Sequence, residues 1–374
     1  MSREAAVPEQ VLSQISIPFD SFAKQYGGRW VNPSLLQPLG LLLDLTGEAL
    51  RSKLILVSAG AEDLALRPDF TIPVAREHIE GGEPVGRYVY AGDAYRAAEP
   101  GQPTEFFQIG LEILGETDDP AAEDGAVIGL AYSAALGGGR GDLAVKFGDV
   151  GLFHSFLTAI GLPTPTVQRL VRALPNPRAL TRELDRAAEG ATAGGNDRLA
   201  AMLADLPESE GAAMLEELWR LAGIQPVGGR TPAEIVHRLA LRAEAARNPP
   251  LSAAEVGLIR RYLAISAPVH EALNQADAIA AEAGGDLSMP IAGWMQRLKL
   301  MAFSGAPPEG VLATAFARPF GYYDGVLFEI TSPSVPNAEP IAAGGRYDSL
   351  PERLGGRPGA VGCMVRPVLA WSGA

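Results

Sequence analysis

The chain has 374 residues, 47% of them hydrophobic and 20% charged, with a formal net charge of −13 at pH 7. That length buries a sizeable core and fits two or three domains. The acidic balance argues against a protein whose main task is gripping phosphates of nucleic acid. A single cysteine, Cys363, excludes an internal disulfide and any CxxC metal site. The four histidines, His78, His154, His237 and His270, form no HxxxH or HxH pair, so neither a zinc site nor another cofactor is expected. The opening MSREAAVPEQ lacks the apolar stretch of a leader. The longest apolar run, Leu35 to Leu45, contains Pro38 and Asp44 and falls short of the roughly 20 residues that span a bilayer. A soluble, cytoplasmic chain without a membrane partner is expected.

From Val11 to Val150, short helical patterns mix with β-rich runs at Lys53–Val57, Arg87–Tyr90 and Phe107–Ile113. The last run alternates apolar and polar residues at period two, the pattern of a half-buried strand. From Leu152 to Gly285 the texture changes. Ala, Leu, Arg and Glu dominate, and apolar residues recurring three and four apart predict amphipathic helices over Ser209–Ala222 and Ala253–Ile265. Pro249 and Pro250, followed by Leu251 and Ser252, mark a connection ending in an N-cap. The Ala-Gly tract from Gly190 to Gly195 is expected to link helices. After Met289 the β character returns, with strands expected at Val311–Phe316 and Gly325–Ile330, and glycines crowd the stretch from Gly344 to Gly362. The simplest organisation is an α+β core in two parts, 1–152 and 286–374, interrupted by a helical insertion over 153–285.

Four distant stretches put polar residues at strand ends or in Gly-rich turns. LALRPDFTIPVAR (Leu64–Arg76) places Asp69 and Thr71 after an apolar strand. The stretch Tyr88–Gly115 places Arg96 before a polar loop, then Glu105, Gln108 and Glu112 on a returning strand. Gln108 and Glu112 are four apart and therefore share a face. ARPFGYYDGVLFE (Ala317–Glu329) offers Arg318, Tyr322 and Tyr323, and AAGGRYDSLPERLGGRPGAVG (Ala342–Gly362) offers a Gly-rich turn. Carboxylates for an ammonium, arginines for an anion and tyrosines for a flat, partly apolar group suit an amino acid, although no residue-level rule names which one. Plainer roles stand beside these. Gly344 and Gly345 can serve a tight turn, the tyrosines can be packing aromatics, and the arginines can be ion-pair partners. Glu105 can hold the loop together, and Cys363 can be a small buried hydrophobe.

All four stretches resemble, in the same order, signature segments of the class II histidyl-tRNA synthetase catalytic domain. LALRPDFT is similar to the LRPEGT segment, with Asp69 where the synthetases carry glutamate. The Tyr88–Gly115 hairpin is similar to motif 2, with Tyr95-Arg96 at its FR pair. ARPFGYYDGVLFE is similar to RGLDYYTGxxFE, and GGRYDSLPERLGGRPGAVG to the entry into motif 3. Asn32 and Pro33 sit where the dimer-forming motif 1 has its proline. The resemblance implies a class II aminoacyl-tRNA synthetase-like fold, an antiparallel sheet flanked by helices, with the helical stretch at the place of the synthetases' own insertion. It also implies a homodimer through the motif 1 region. It puts Asp69, Thr71, Gln108, Glu112, Arg318, Tyr322 and Tyr323 around bound histidine. In that setting Asp69 and Gln108 fit the α-ammonium, Glu112 with a tyrosine fits the imidazole, and Arg318 fits the carboxylate.

The departures concern ATP and tRNA. Leu369 stands where motif 3 supplies an arginine to the ATP phosphates, and Arg366 falls on a glycine position. Ala98 replaces the acidic residue after the FR pair, and Thr104 replaces a basic residue of the loop. Arg96 alone remains as a residual anion-binding group, and no catalytic residue is assigned. The chain stops twelve residues after Gly362, where a synthetase continues into its anticodon-binding domain, so no such domain and no tRNA partner are expected. This combination resembles the histidyl-tRNA synthetase-like regulatory subunits of ATP phosphoribosyltransferase. That resemblance implies a hetero-oligomer with the short-form catalytic subunit, required for its activity in the first step of histidine biosynthesis, with L-histidine as feedback effector. Two alternatives stand beside it: a truncated synthetase paralogue that activates histidine or another amino acid with ATP, and a binding module unrelated to histidine synthesis.

Overall fold

A computed structural model of the chain describes residues 4–46, 48–59, 62–98, 102–188, 208–222, 251–303, 310–318, 321–335 and 339–373. Helix α1 (Glu9–Tyr26) buries Ile15, Phe19 and Phe22, spaced three and four apart, and stops at Gly27, whose φ of 69° is the left-handed conformation that glycine tolerates. After β1 (Arg29–Val31) come β2 (Leu36–Pro38), α2 (Leu39–Thr46), β3 (Leu56–Ala59) and β4 (Glu62–Leu66), and the last three strands form a small sheet in the order β2-β4-β3. Lys53, expected to open a strand, instead ends a 3-10 turn over Glu48–Lys53. Leu54 N–H bonds back to Arg51 O at 3.2 Å, which delays the extended chain to Leu56.

Helix α3 (Thr71–Gly81) precedes a long hairpin of β5 (Gly86–Tyr95) and β6 (Glu105–Leu114). The two strands pair over their full length, with Tyr88 opposite Glu112 and Gly92 opposite Gln108. Helix α4 (Pro120–Leu136) is started by Asp119, which accepts the Ala122 N–H at 3.0 Å, and by Pro120 at the first helical position. Strand β7 (Ala144–Asp149) leads into α5 (Val150–Ala159), followed by α6 (Thr164–Ala173), α7 (Pro177–Ala188), α8 (Glu208–Ala222) and α9 (Ala253–Leu263). The chain then forms β8 (Ser266–Pro268), α10 (Val269–Ala281), α11 (Ser288–Phe303), β9 (Val311–Ala313) and β10 (Val326–Thr331). It finishes with β11 (Ala342–Arg346), α12 (Ser349–Arg353), β12 (Ala360–Val365) and α13 (Pro367–Ala370).

The chain divides into two compact units, one made of 1–156 with 261–374 and the other of 157–260. The described residues of the second are mostly helical. They bury Val167, Leu170, Leu174, Leu180 and Leu184 at helical spacing. The N-cap expected at Ser252 is present: its hydroxyl accepts the Glu255 N–H at 3.2 Å, while the Glu255 carboxylate accepts the Ser252 N–H at 2.6 Å. The tract Gly190–Gly195 and the pair Pro249-Pro250 lie outside the described residues.

The first unit carries a nine-stranded sheet in the order β1-β5-β6-β12-β11-β10-β7-β9-β8. Its centre is antiparallel, as expected for the α+β class. The pairs β1–β5 and β7–β9 are parallel, which makes the sheet mixed towards its edges; each of these pairs is joined by a long connection containing helices, as parallel pairing requires. Strand β8 extends the sheet beside β9, so the stretch 261–285 packs within this unit. Strand β9 ends at Ala313, short of the expected Phe316. The Phe316 N–H bonds back to Ala313 O at 2.9 Å, a turn that takes the chain out of the ladder. Strand β6 is covered on both faces rather than half-buried. Helices α1, α3 and α13 pack against it, and Tyr88, Tyr90, Tyr322 and Tyr347 form one buried cluster with residues of α2 and α3. Among the described residues no helix is long and apolar enough to cross a membrane.

Candidate functional site

The turn between β4 and α3 sets the first wall of the site. Arg67 donates from Nε to Asp93 O at 2.9 Å and from Nη1 to Pro33 O at 2.6 Å, and its guanidinium lies 4.0 Å over the Phe70 ring. Phe70 in turn stacks on Tyr90 with centroids 4.3 Å apart. This fixes Asp69 and Thr71 against β6. Strand parity puts Gln108 and Glu112 on the same face, as the sequence spacing requires. Arg96 leaves the end of β5, and Arg318, Tyr322 and Tyr323 come from the segment before β10.

These eight residues line one cavity of about 390 Å³, counted out to its mouth, together with Tyr90, Ala343, Gly344, Tyr347, Gly362, Cys363 and Met364. At its inner end the Glu112 carboxylate accepts hydrogen bonds from three hydroxyls: Thr71 at 2.8 Å, Tyr347, and Tyr90 at 3.5 Å. Burial pushes the Glu112 carboxyl up to about 8, against the lowering effect of the Tyr347 and Thr71 hydroxyls, while the neighbouring Asp69 charge adds to the rise. Asp69 is raised by burial as well, opposed by Arg96; the Tyr322 hydroxyl donates to its Oδ2 at 3.3 Å. Tyr322, Tyr323 and Tyr347 form one aromatic group, with centroids 4.8 to 6.1 Å apart. Tyr323 is pushed up to about 12 by burial.

The other end is cationic. Arg96 donates from Nε to Pro68 O at 2.9 Å and lies 4.9 Å from the Phe106 centroid. Burial lowers it to about 10, with Asp69 supporting its charge. Arg318 pairs with Glu329 at 2.8 Å, so its plainer role as an ion-pair partner and its place in the cavity hold together. Four buried polar atoms of the lining have no hydrogen-bond partner among the described residues: Gln108 Nε2 and Oε1, Asp69 Oδ1 and Arg318 Nε. A buried polar atom left unpaired costs about 1–3 kcal/mol. A guest offering donors and acceptors at these places removes that cost. The set provides two acceptors for an ammonium, a guanidinium N–H for a carboxylate, and an aromatic slot ending in a hydroxyl-bound carboxyl. Perturbed carboxyls and arginines gathered in one cleft are the mark of a functional site.

Gly344 and Gly345 lie within β11 and are not turn residues. Gly344, together with Gly362 of β12, leaves the cavity floor to the main chain. A Cβ on Gly362 would sit 1.6 Å from Glu112 Oε2, and one on Gly344 would sit 2.2 Å from Gly362 O. Gly362→Ala is therefore expected to cost about 1–3 kcal/mol of stability by overpacking, read as a lower urea midpoint. Gly40→Ala on α2, where no atom lies within 4 Å, should be neutral or stabilising in the same titration. Equal midpoints for both variants would refute the packed floor.

Sequence reasoning missed Tyr90 and Tyr347. Tyr347 lies inside the GGRYD stretch and could have been chosen there. Tyr90 faces the site only because the hairpin sets it opposite Gly110, where a Cβ would meet its hydroxyl at 2.3 Å.

The histidyl-tRNA synthetase family profile matches residues 4–246 and 310–367. An ATP phosphoribosyltransferase regulatory subunit of Chelativorans sp. (strain BNC1) is 35% identical over 326 residues, covering 86% of this chain and 86% of its own. One from Agrobacterium fabrum (strain C58) is 35% identical over 343 residues, covering 90% and 89%. Among solved structures, an ATP phosphoribosyltransferase regulatory subunit/histidyl-tRNA synthetase from Bacillus halodurans C superposes with a TM-score of 0.62 at 19% identity, covering 98% of this chain and 80% of the other. Histidyl-tRNA synthetase from Nostoc sp. PCC 7120 gives a TM-score of 0.58 at 14% identity, covering 97% and 74%. The solved structures establish the class II synthetase-like fold, the curated relatives narrow the kinship, and the chain belongs to the histidyl-tRNA synthetase-like family of ATP phosphoribosyltransferase regulatory subunits.

Proposed function

We propose that the chain acts without catalysing a reaction of its own, by activating a short-form ATP phosphoribosyltransferase catalytic subunit and reporting histidine occupancy to it. The observation that supports this most is the cavity itself. It unites the residues for an amino acid's ammonium, carboxylate and ring, and leaves Gln108, Asp69 and Arg318 with unpaired polar atoms for that guest. The ring end suits an imidazole, whose N–H groups can meet the Glu112 carboxylate and a tyrosine hydroxyl. The phosphate-facing side lacks the means for adenylate formation. Leu369 occupies the motif 3 arginine's place, and Arg366 is engaged by Glu4 and Glu339. Regulation needs histidine to bind two states of the complex unequally, with a coupling of about 1–3 kcal/mol.

The test is phosphoribosyl transfer by the catalytic subunit, with and without this chain, across a histidine titration. Activation by the chain, with histidine inhibition that weakens about tenfold or more in Tyr322→Ala, is the expected result. Activation with unchanged inhibition in that variant would move the histidine site elsewhere. Absence of activation, with histidine-dependent ATP–pyrophosphate exchange by the chain alone, would replace the regulatory reading with an amino-acid-activating one.

A further inference from the structure

Arg318 lines the cavity, yet the residue that holds it does not. Glu329 lies on β10 directly opposite Ala343 of β11, and Ala343 lies opposite Met364 of β12. Opposed residues of antiparallel strands share a face. Glu329 therefore stands on the same sheet face as Ala343 and Met364, one strand beyond the cavity lining. From there its Oε1 accepts Arg318 Nη1 at 2.8 Å, with side-chain exposures of 8% for Arg318 and 22% for Glu329. Lys146, opposite Glu329 on β7, places its ammonium 4.6 Å from the Phe316 centroid. Phe316 packs so closely on β7 that a Cβ on Gly148 would meet its carbonyl oxygen at 2.2 Å. Two residues on, Glu329 is what fixes Arg318.

The single bond through Nη1 has a geometric consequence. A guanidinium offers a carboxylate two forked edges, Nη1 with Nη2 and Nε with Nη2. Glu329 engages Nη1, while Nε is buried without a hydrogen-bond partner among the described residues. The edge left to a guest is Nε with Nη2, a fork that takes a carboxylate in bidentate fashion. The charge of the group is felt within the cavity: burial raises the Tyr323 hydroxyl, and Arg318 is first among the influences opposing that rise.

We propose that Glu329 is a positioning residue that turns the Nε–Nη2 edge of Arg318 towards the guest, so that the site selects an amino acid with a free α-carboxylate over analogues in which that group is neutral. This rests on the reading of the cavity as a histidine site. A guest without the carboxylate leaves Arg318 Nε buried and unpaired, and gains nothing from the fork. Glu329 acts through the place of its acceptor oxygen rather than through its charge, since a second negative charge near the guest's carboxylate opposes binding.

The experiment is calorimetric titration of the full chain with L-histidine and with L-histidinol, which keeps the ring and the ammonium and carries a hydroxymethyl group instead of the carboxylate. Wild type is expected to prefer L-histidine about tenfold or more. Glu329→Ala should reduce the preference to about threefold or less, by weakening L-histidine while L-histidinol stays within about twofold. Glu329→Gln keeps an acceptor oxygen for Nη1 without the charge and should retain the wild-type preference. In an Arg318→Met background, Glu329→Ala should change the preference no further. Equal weakening of both ligands in Glu329→Ala would leave Glu329 a structural support and overturn the proposal. So would a preference that rises in that variant, or one that Glu329→Gln loses as fully. If Glu329→Ala does not fold, Glu329→Asp decides: it keeps the charge but draws the acceptor back by one methylene, and an undiminished preference then overturns the proposal. A wild type that binds both ligands equally removes Arg318 from the carboxylate and overturns it too. A wild type that binds neither refutes the histidine site itself, a result distinct from all the others, and this inference falls with it.

Discussion

Replacing Glu112 with Gln is expected to weaken histidine binding roughly 10- to 150-fold at pH 8, the equivalent of about 1.5–3 kcal/mol for a hydrogen bond to a charged group. The pH dependence is the sharper signature. With its carboxyl pushed up to about 8 by burial, Glu112 is ionised in about one molecule in ten at pH 7 and about half at pH 8. A ring N–H that requires the carboxylate must first draw off the proton, so wild-type affinity should rise roughly fivefold over that interval. The Gln variant has no such proton and should titrate flat. Calorimetry at pH 7.0, 7.5 and 8.0 on both proteins checks this. A wild-type affinity that falls with pH, or a variant that keeps the wild-type slope, would remove Glu112 from the ring end.

Asp124→Ala should be the most damaging single change to stability in the larger unit. Asp124 on α4 is fully buried and receives Arg346 Nε at 2.7 Å and Arg297 Nε at 2.6 Å, joining β11 and α11 through one carboxylate. Burial opposes the charge of Arg346, yet Asp124 and Asp348 together raise its pKa. Removing Asp124 takes from Arg297 its paired carboxylate and leaves the buried Arg346 with Asp348 at 2.9 Å and Glu123 at 3.4 Å alone, at a cost of about 3–5 kcal/mol. Urea unfolding measures it. Adding Arg297→Met and Arg346→Met should recover much of the loss, since well-packed apolar groups often replace a buried ion cluster at no net cost. A loss below about 1 kcal/mol would show that water reaches the cluster. Arg346 directly precedes Tyr347, so the same change should also loosen the hydroxyl that holds Glu112.

Much of this molecule was legible in the sequence because its chemistry sits in contiguous stretches. RPDFT, the β5–β6 hairpin, RPFGYYDG and GGRYD each supply cavity residues, and the period-two spacing of Gln108 and Glu112 survives folding unchanged. What escaped depends on register between distant strands. Tyr90 joins the site through its position opposite Gly110, and Gly362 matters because it lies opposite Glu112. The pairing of Arg366 with Glu4 spans 362 positions of sequence, and no local pattern carries it. Lys53 failed as a strand start for a local reason, a 3-10 turn that β propensity in Leu54-Ile55-Leu56-Val57 conceals. The mixed edges of the sheet come from crossover connections, which alternation in single strands does not report.

The floor formed by Gly344 and Gly362 gives the cavity a particular kind of selectivity. Where a guest rests on side chains, rotamers can swing aside and admit an approximate fit. Here it rests on peptide groups already locked into the ladders of β6, β11 and β12. Such a surface behaves as a mould. It loses little freedom when filled, which favours tight binding of a small guest, and it cannot yield to a bulkier one. A change in what is recognised is therefore expected to come from substitutions at the walls, at positions such as Thr71, Tyr323 or Met364.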